Sequence, residues 1–380
     1  MSAANAACSR RALLVAASAA AAACCVPGWD PAQPPETFEA GRRLLALHPA
    51  IDLHAHPGRS FSAAVPAPPE LAGGFEARRV RDMQLGGVAA SLFASVSDFA
   101  VLGPRTDGSI GQRRTFDSGE AYRDHQRQWA RFAQLQAQGV LTLARSAAEI
   151  RRAHRAGQAV VLLSAEGAAF VGEDFERLAS AQADGLRSLT LVHYRRSEYG
   201  DTQTGPVEHG GLSALGRALV PQLNQLGVLI DVAHASQATV RDVVERSVAP
   251  VVLSHSHLAA PGEAHPRLLT PAHAQLVASA GGLIGAWPSG FVNRNLDDYV
   301  TQILRLVDLV GVAHVGIGTD LDANFRPVLT DYAQFPELAT RLLERGLAPR
   351  EAAQILGGNF LRVLSTAQRA AHPDHRSEEG

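Results

Sequence analysis

Eight short runs along the chain are nearly continuously apolar and β-prone: 50–53, 88–94, 159–163, 188–192, 228–232, 251–253, 282–286 and 315–317. Between them lie stretches whose apolar residues recur three and four positions apart, at 120–138, 175–183, 213–225, 238–246, 271–280, 296–309 and 332–344. That spacing predicts helices. Strands alternating with helices imply a parallel sheet, and a strand apolar on both faces is one that is covered on both. Eight such units predict closure into a (β/α)8 TIM barrel of the metal-dependent hydrolase type. A last helical stretch at 349–364 is expected on the outside of the barrel. Two stretches, 57–76 and 99–119, exceed a minimal connection and read as long loops. No internal repeat is visible.

The polar residues that break this pattern sit where the runs end. His54 and His56 end the first, Glu166 follows the third, and His193 ends the fourth. His234 ends the fifth, His255 the sixth and Asp320 the eighth. In a closed parallel barrel all C-terminal strand ends meet around one mouth, so these residues are expected to converge there. Side chains alternate along a strand, so His54 and His56 point the same way. Each residue alone has a plain structural reading: a histidine lining the wall, or a carboxylate capping the next helix. Asp52 and Asp231 are expected to be of that supporting kind. The joint pattern points to metal. Imidazole nitrogen and carboxylate oxygen without sulfur suit a catalytic zinc site. The donors outnumber what one tetrahedral ion needs, so two ions are expected. The chain has no lysine; a carbamylated-lysine bridge is therefore impossible, and Glu166 is the available bridging anion.

Composition adds little except at the N-terminus. The 380 residues are 46% hydrophobic and 19% charged with formal net charge -2, so neither nucleic acid nor an anionic membrane is an expected partner. Arg10 and Arg11 precede an alanine-rich apolar stretch that is too short to span a bilayer and reads as an export signal over 1–25. The arginine pair leaves a twin-arginine route and ordinary secretion both open. All three cysteines, Cys8, Cys24 and Cys25, fall there, so the expected mature domain has no disulfide or thiolate site. Cys24 is a candidate lipid acceptor, although the expected leucine three residues earlier is missing. Residues 26–40 read as a tether, 41–366 as the barrel and 367–380 as a polar tail. The expected location is periplasmic or envelope-associated.

Four stretches carry a family resemblance: 227–234 (GVLIDVAH), 249–256 (APVVLSHS), 314–320 (HVGIGTD) and 357–364 (GGNFLRVL). In that order and spacing the chain resembles the membrane (renal-type) dipeptidases, peptidase family M19, from about residue 45 to 364. The resemblance implies one zinc held by His54, the residue at 56 and Asp320 or its water, a second held by His234 and His255, and Glu166 bridging both. It implies a metal-bridging hydroxide that hydrolyses dipeptides, including those with a C-terminal D-residue. His193 and Arg267 match the family's substrate contacts, and homodimers are a family expectation; Asp320, beside the nucleophile, is expected to accept its proton and pass it to the leaving amine. His257 is a second candidate beside His255, but the family motif places the ligand first. One position departs: the family has His-x-Asp where this chain has His54-Ala55-His56, which leaves the site with more positive charge. Alternatives carried forward are an amidohydrolase acting on a non-peptide amide, lactone or β-lactam, and a non-catalytic exported binding protein. There is no His-Glu-x-x-His, Gly-x-Ser-x-Gly or Walker lysine motif to suggest other machinery.

Overall fold

A computed structural model describes residues 38–59, 61–62, 74–106, 109–260, 262 and 265–371. The export signal, Cys24, residues 26–37 of the tether and residues 372–380 of the tail lie outside the described residues. Everything below belongs to one compact unit, Glu39–Gly380.

The eight apolar runs are the eight strands: β1 (Ala50–Ala55), β2 (Val88–Val96), β3 (Val160–Glu166), β4 (Leu186–Thr190), β5 (Leu229–Asp231), β6 (Val252–Ser256), β7 (Leu283–Ala286) and β8 (Val315–Ile317). They pair in parallel around a closed barrel, with β1 bonded to both β2 and β8. Alternation along β3 shows how one strand builds both core and site. Val161, Leu163 and Ala165 face the helices in the larger apolar cluster. Val160 and Leu162 join Ile51, Leu53, Leu92, Leu229 and Leu283 in a second cluster, which Phe360 and Val363 of the last helix close. Glu166 has the parity of Leu162 and so belongs to the barrel's inner face, at its C-terminal end. The barrel is tight where β6, β7 and β8 meet. A Cβ at Gly285 or Gly318 would lie 1.8 Å from the Ser254 carbonyl oxygen, so only glycine lets those backbones approach.

The helices start where their caps are. Ser146, Ser213, Ser236, Thr270 and Asn295 each accept a backbone N–H from three residues ahead, a contribution of about 1 kcal/mol apiece. Three helices were not expected from apolar spacing: Glu39–Leu47, Gly74–Gly86 and Ala147–Arg155. The third buries only Ala147, Ile150 and Ala153, a stripe too small to stand out, although Ser146 caps it by accepting from Glu149 N. Helix Glu39–Leu47 begins inside the stretch read as tether, and the last helix runs to Ala371, inside the stretch read as tail. The first helix thus starts at Glu39, ahead of the expected start of the barrel at 41, and the last buries Ala367, just beyond its expected end at 366. The stretch 57–76 ends in a helix rather than a loop from Gly74 on, and 99–119 contains an antiparallel hairpin of Leu102–Pro104 and Ile110–Gln112. No described helix is long and apolar enough to cross a membrane.

Candidate active site

Glu166 stands at the centre of the barrel mouth. Its Oε1 lies 3.0 Å from His234 Nε2, 3.4 Å from His54 Nε2 and 3.6 Å from His255 Nε2. Its Oε2 lies 3.2 Å from His193 Nε2 and 3.3 Å from His56 Nε2. The Nε2 atoms of His54 and His56 are 3.0 Å apart, as are those of His234 and His255. Asp320 Oδ1 is 3.4 Å from His56 Nε2 and groups with His54 and His255. All are buried. Ligand atoms about 2.0–2.1 Å from a tetrahedral zinc lie roughly 3.3 Å from one another. Five imidazole nitrogens and two carboxylates meet at that spacing, so the donor set fits metal cations. The groups interlock: His54 falls with His56 and Glu166 and also with His255 and Asp320, while His193 falls with Glu166 and His234.

Carboxylates behind the ligands hold them. Asp231, at the end of β5, accepts four hydrogen bonds: from Ala233 N and Ser254 N at 2.9 Å each, from Thr190 Oγ at 2.7 Å and from Ser254 Oγ at 2.6 Å. Because the Ser254 hydroxyl donates to Asp231, its oxygen is left to accept from His255 Nδ1 at 3.0 Å. A proton on Nδ1 frees the Nε2 lone pair for the centre. Asp52 does the same for the other side, accepting from Thr319 N (2.8 Å), Thr319 Oγ (2.6 Å) and Tyr332 OH (2.8 Å). Thr319 precedes Asp320. His56 is steadied through Nδ1, 3.2 Å from the Ala94 carbonyl oxygen. His234 and Asp320 both take left-handed backbone, φ 64 and 54. Such conformations cost of order 1–3 kcal/mol and persist where surrounding contacts impose them.

The electrostatics separate the histidines into two kinds. Burial holds His234 and His255 well below the usual imidazole range, and neighbouring cationic groups add to it; both are neutral and able to ligate. Burial alone would lower His56, but hydrogen bonds and charge from Asp320 and Glu166 outweigh it and raise its pKa to about 10. Burial likewise opposes charge on His193, yet Asp98 and Glu166 raise it. Burial penalises the Glu166 carboxylate, but the charges of His193 and His54 with hydrogen bonds from His234 and His54 hold it well below the usual range.

On the His234 side lies Arg267. Its Nη1 donates to Gln203 Oε1 at 2.7 Å, its Nη2 is 3.3 Å from His234 Nε2, and its Nε has no partner. The guanidinium is buried and, among the described residues, forms no ion pair with a carboxylate. A buried cation without a neighbouring anion is costly to hold.

Every residue expected at the mouth is there. His257 instead stacks on Trp287, 5.7 Å between centroids, and belongs to no ligand group. Sequence reasoning missed Asp98, whose Oδ1 is 2.6 Å from His193 Nδ1 and whose Oδ2 accepts from Tyr194 N and Arg195 N. It missed Gln203, Tyr194 and Trp287 as well. Asp98 and Trp287 had a signal, since they follow β2 and β7, the two strands that seemed to bring nothing polar or distinctive.

A family profile described as membrane dipeptidase (peptidase family M19) matches residues 39–378. The chain belongs to the membrane dipeptidase family. Among curated relatives of this M19 chain, dipeptidase verJ of Clonostachys rogersoniana is 30% identical over 239 residues, 61% of each chain. Dipeptidase aclJ of Aspergillus oryzae is 33% identical over 230 residues, 57% of this chain and 54% of that one. The matched stretches thus span less than two thirds of either relative. Among solved structures, the probable dipeptidase PvdM from Pseudomonas aeruginosa superposes with TM-score 0.73 at 20% identity, covering 89% of this chain and all of the other. A metallopeptidase from Rhodobacter sphaeroides, liganded with a phosphinate mimic of L-Ala-D-Ala, gives 0.68 at 21% identity, covering 84% and 99%. At these identities the two structures attest the barrel fold.

Proposed function

We propose that the protein is an exported metallo-dipeptidase holding two zinc ions, with Glu166 shared between them. The observation that carries the reading is the centring of five imidazole nitrogens on one buried carboxylate, beside a buried arginine that forms no ion pair among the described residues. His54, His56 and Asp320 would hold one ion and His234 and His255 the other. When bound, the ions supply Lewis acidity toward a carbonyl oxygen and bring the pKa of a water toward neutrality. The chain's own residues do the rest. Arg267 pairs with the C-terminal carboxylate of a dipeptide through its planar fork, and this favours dipeptides over longer chains. His193, kept cationic and oriented by Asp98, donates a hydrogen bond to the carbonyl oxygen as charge develops there. Asp320 accepts the proton of the attacking water and returns it to the leaving amine. The buried walls exclude bulk water and strengthen each interaction.

The curated relatives named as dipeptidases and the phosphinate dipeptide mimic seen in a structural neighbour support this substrate class. The mimic also supports a D-residue at the C-terminal position. The signal-like first 25 residues support export. The deciding experiment measures metal content and the hydrolysis of L,L- and L,D-dipeptides before and after chelation and zinc return. Zinc near two ions per chain with chelator-sensitive dipeptide hydrolysis is expected. A zinc-loaded protein inert toward dipeptides but active on lactones or β-lactams would transfer the reading to another amidohydrolase.

A further inference from the structure

The exposed phenylalanines of the described residues, Phe99, Phe291 and Phe325, all lie in the connections that follow β2, β7 and β8 at the barrel mouth, Phe99 at the start of a 3-10 turn. Apolar rings concentrated at one rim mark a binding surface more than chance exposure. Two of them form a wall on the Arg267 side. Phe291 and Phe325 stack with centroids 4.8 Å apart and stay 40% and 46% exposed. Trp287 continues the wall inward, 5.7 Å from Phe291, and its ring lies under the guanidinium of Arg267 at 5.3 Å. The wall is held before any ligand arrives: Gly290 N donates to Phe325 O at 2.8 Å and Val328 N to Pro288 O at 2.9 Å, zipping the two loops together.

We infer that Trp287, Phe291 and Phe325 form the subsite for the side chain of the substrate's C-terminal residue, and that this subsite selects bulky apolar side chains. The inference rests on the dipeptidase reading, with Arg267 gripping the terminal carboxylate. Covalent geometry then does the placing. The side chain and the carboxylate leave the same carbon, so a carboxylate on Arg267 brings the neighbouring side chain close to Trp287, the ring under Arg267 from which Phe291 and Phe325 continue outward. Burying a large apolar side chain there covers ring surface that is otherwise wet.

The zinc-loaded enzyme is assayed with L-Ala-Gly, L-Ala-L-Ala, L-Ala-L-Leu and L-Ala-L-Phe. The kcat/KM is expected to rise with the size of the second side chain. Double replacement Phe291→Ala with Phe325→Ala lowers the ratio of kcat/KM for L-Ala-L-Phe over L-Ala-Gly by about tenfold, the discrimination an apolar pocket commonly provides. Free L-phenylalanine as product inhibitor loses potency against glycine by a similar factor. A surface control, Leu85→Ala, leaves the ratio where it was. A parent that hydrolyses all four dipeptides equally, or a ratio unmoved by the double replacement, overturns the subsite. A parent that hydrolyses none of them overturns the dipeptidase reading instead. Because all three replaced side chains are exposed, thermal unfolding should be preserved, and a ratio needs only residual activity.

Discussion

Replacing Asp231 by asparagine keeps the shape of a side chain that touches no substrate, yet it should loosen the metal site. The carboxylate accepts four hydrogen bonds, two from backbone N–H groups and two from hydroxyls. A carboxamide has one accepting oxygen, so in either orientation two of the four donors face its NH2. The backbone donors cannot turn, whereas the hydroxyls of Thr190 and Ser254 can; the oxygen will therefore stay with Ala233 N and Ser254 N. Losing two hydrogen bonds to a charged acceptor at about 1.5–3 kcal/mol each, partly regained from the amide donors, leaves a loss of roughly 2–4 kcal/mol. The second consequence is chemical. Once the Ser254 hydroxyl no longer donates to Asp231, its proton turns toward His255 Nδ1, which then becomes an acceptor. The imidazole proton moves to Nε2, the atom that faces Glu166. Zinc affinity should fall about 10- to 100-fold, as removal of such supporting partners commonly does. Competition against a chromophoric chelator measures the affinity and urea unfolding measures the stability. Adding Ser254→Ala removes the misdirected proton and should restore part of the affinity. If Asp231→Asn folds and binds zinc as the parent does, the hydrogen-bond chain does not set the His255 tautomer and the reasoning is wrong.

Asp98→Asn should lower kcat by about 10²–10⁴ while zinc content stays unchanged, because His193 loses the partner that orients and charges it; metal analysis beside steady-state kinetics separates the two. Arg267→Lys removes the planar fork and the packing on Trp287, so KM for dipeptides should rise at least tenfold with a smaller change in kcat, about the cost of losing a bidentate pair. An unchanged KM would release Arg267 from the carboxylate. His125 is a pH probe outside the candidate ligand groups: it stacks on Phe170 at 3.8 Å, and burial lowers its pKa to about 3 from 6.5. A folded pKa below the unfolded one means stability present above pH 6.5 and lost as the pH falls toward 3. Between pH 6.5 and 4.5 that loss is about 2.3 kcal/mol. His125→Phe should remove it, and urea midpoints that fall equally for parent and variant would show the group is not responsible.

Much of this protein is written in its one-dimensional pattern. Strand and helix periods in alternation are a local property, since each apolar face must find cover, and all eight barrel strands were readable from them. That rule also places strand ends together, so His54, His56, Glu166, His193, His234, His255 and Asp320 could be expected at one mouth before any coordinates. The absence of lysine excluded one kind of metal bridge outright. Helices with thin apolar stripes, such as Ala147–Arg155, escaped because their burial depends on neighbours rather than on their own spacing.

What the tertiary structure alone decided is which polar groups answer which. Asp98 is 95 positions from His193, and Asp52 is 267 from Thr319; no local period relates them, and only closure of the barrel brings them within a hydrogen bond. The same holds for the lone guanidinium of Arg267 and for the aromatic wall beside it. Periodicity specifies the faces that must be buried. Charge compensation and tautomer are set by partners across the barrel, and those exist only once the chain has closed.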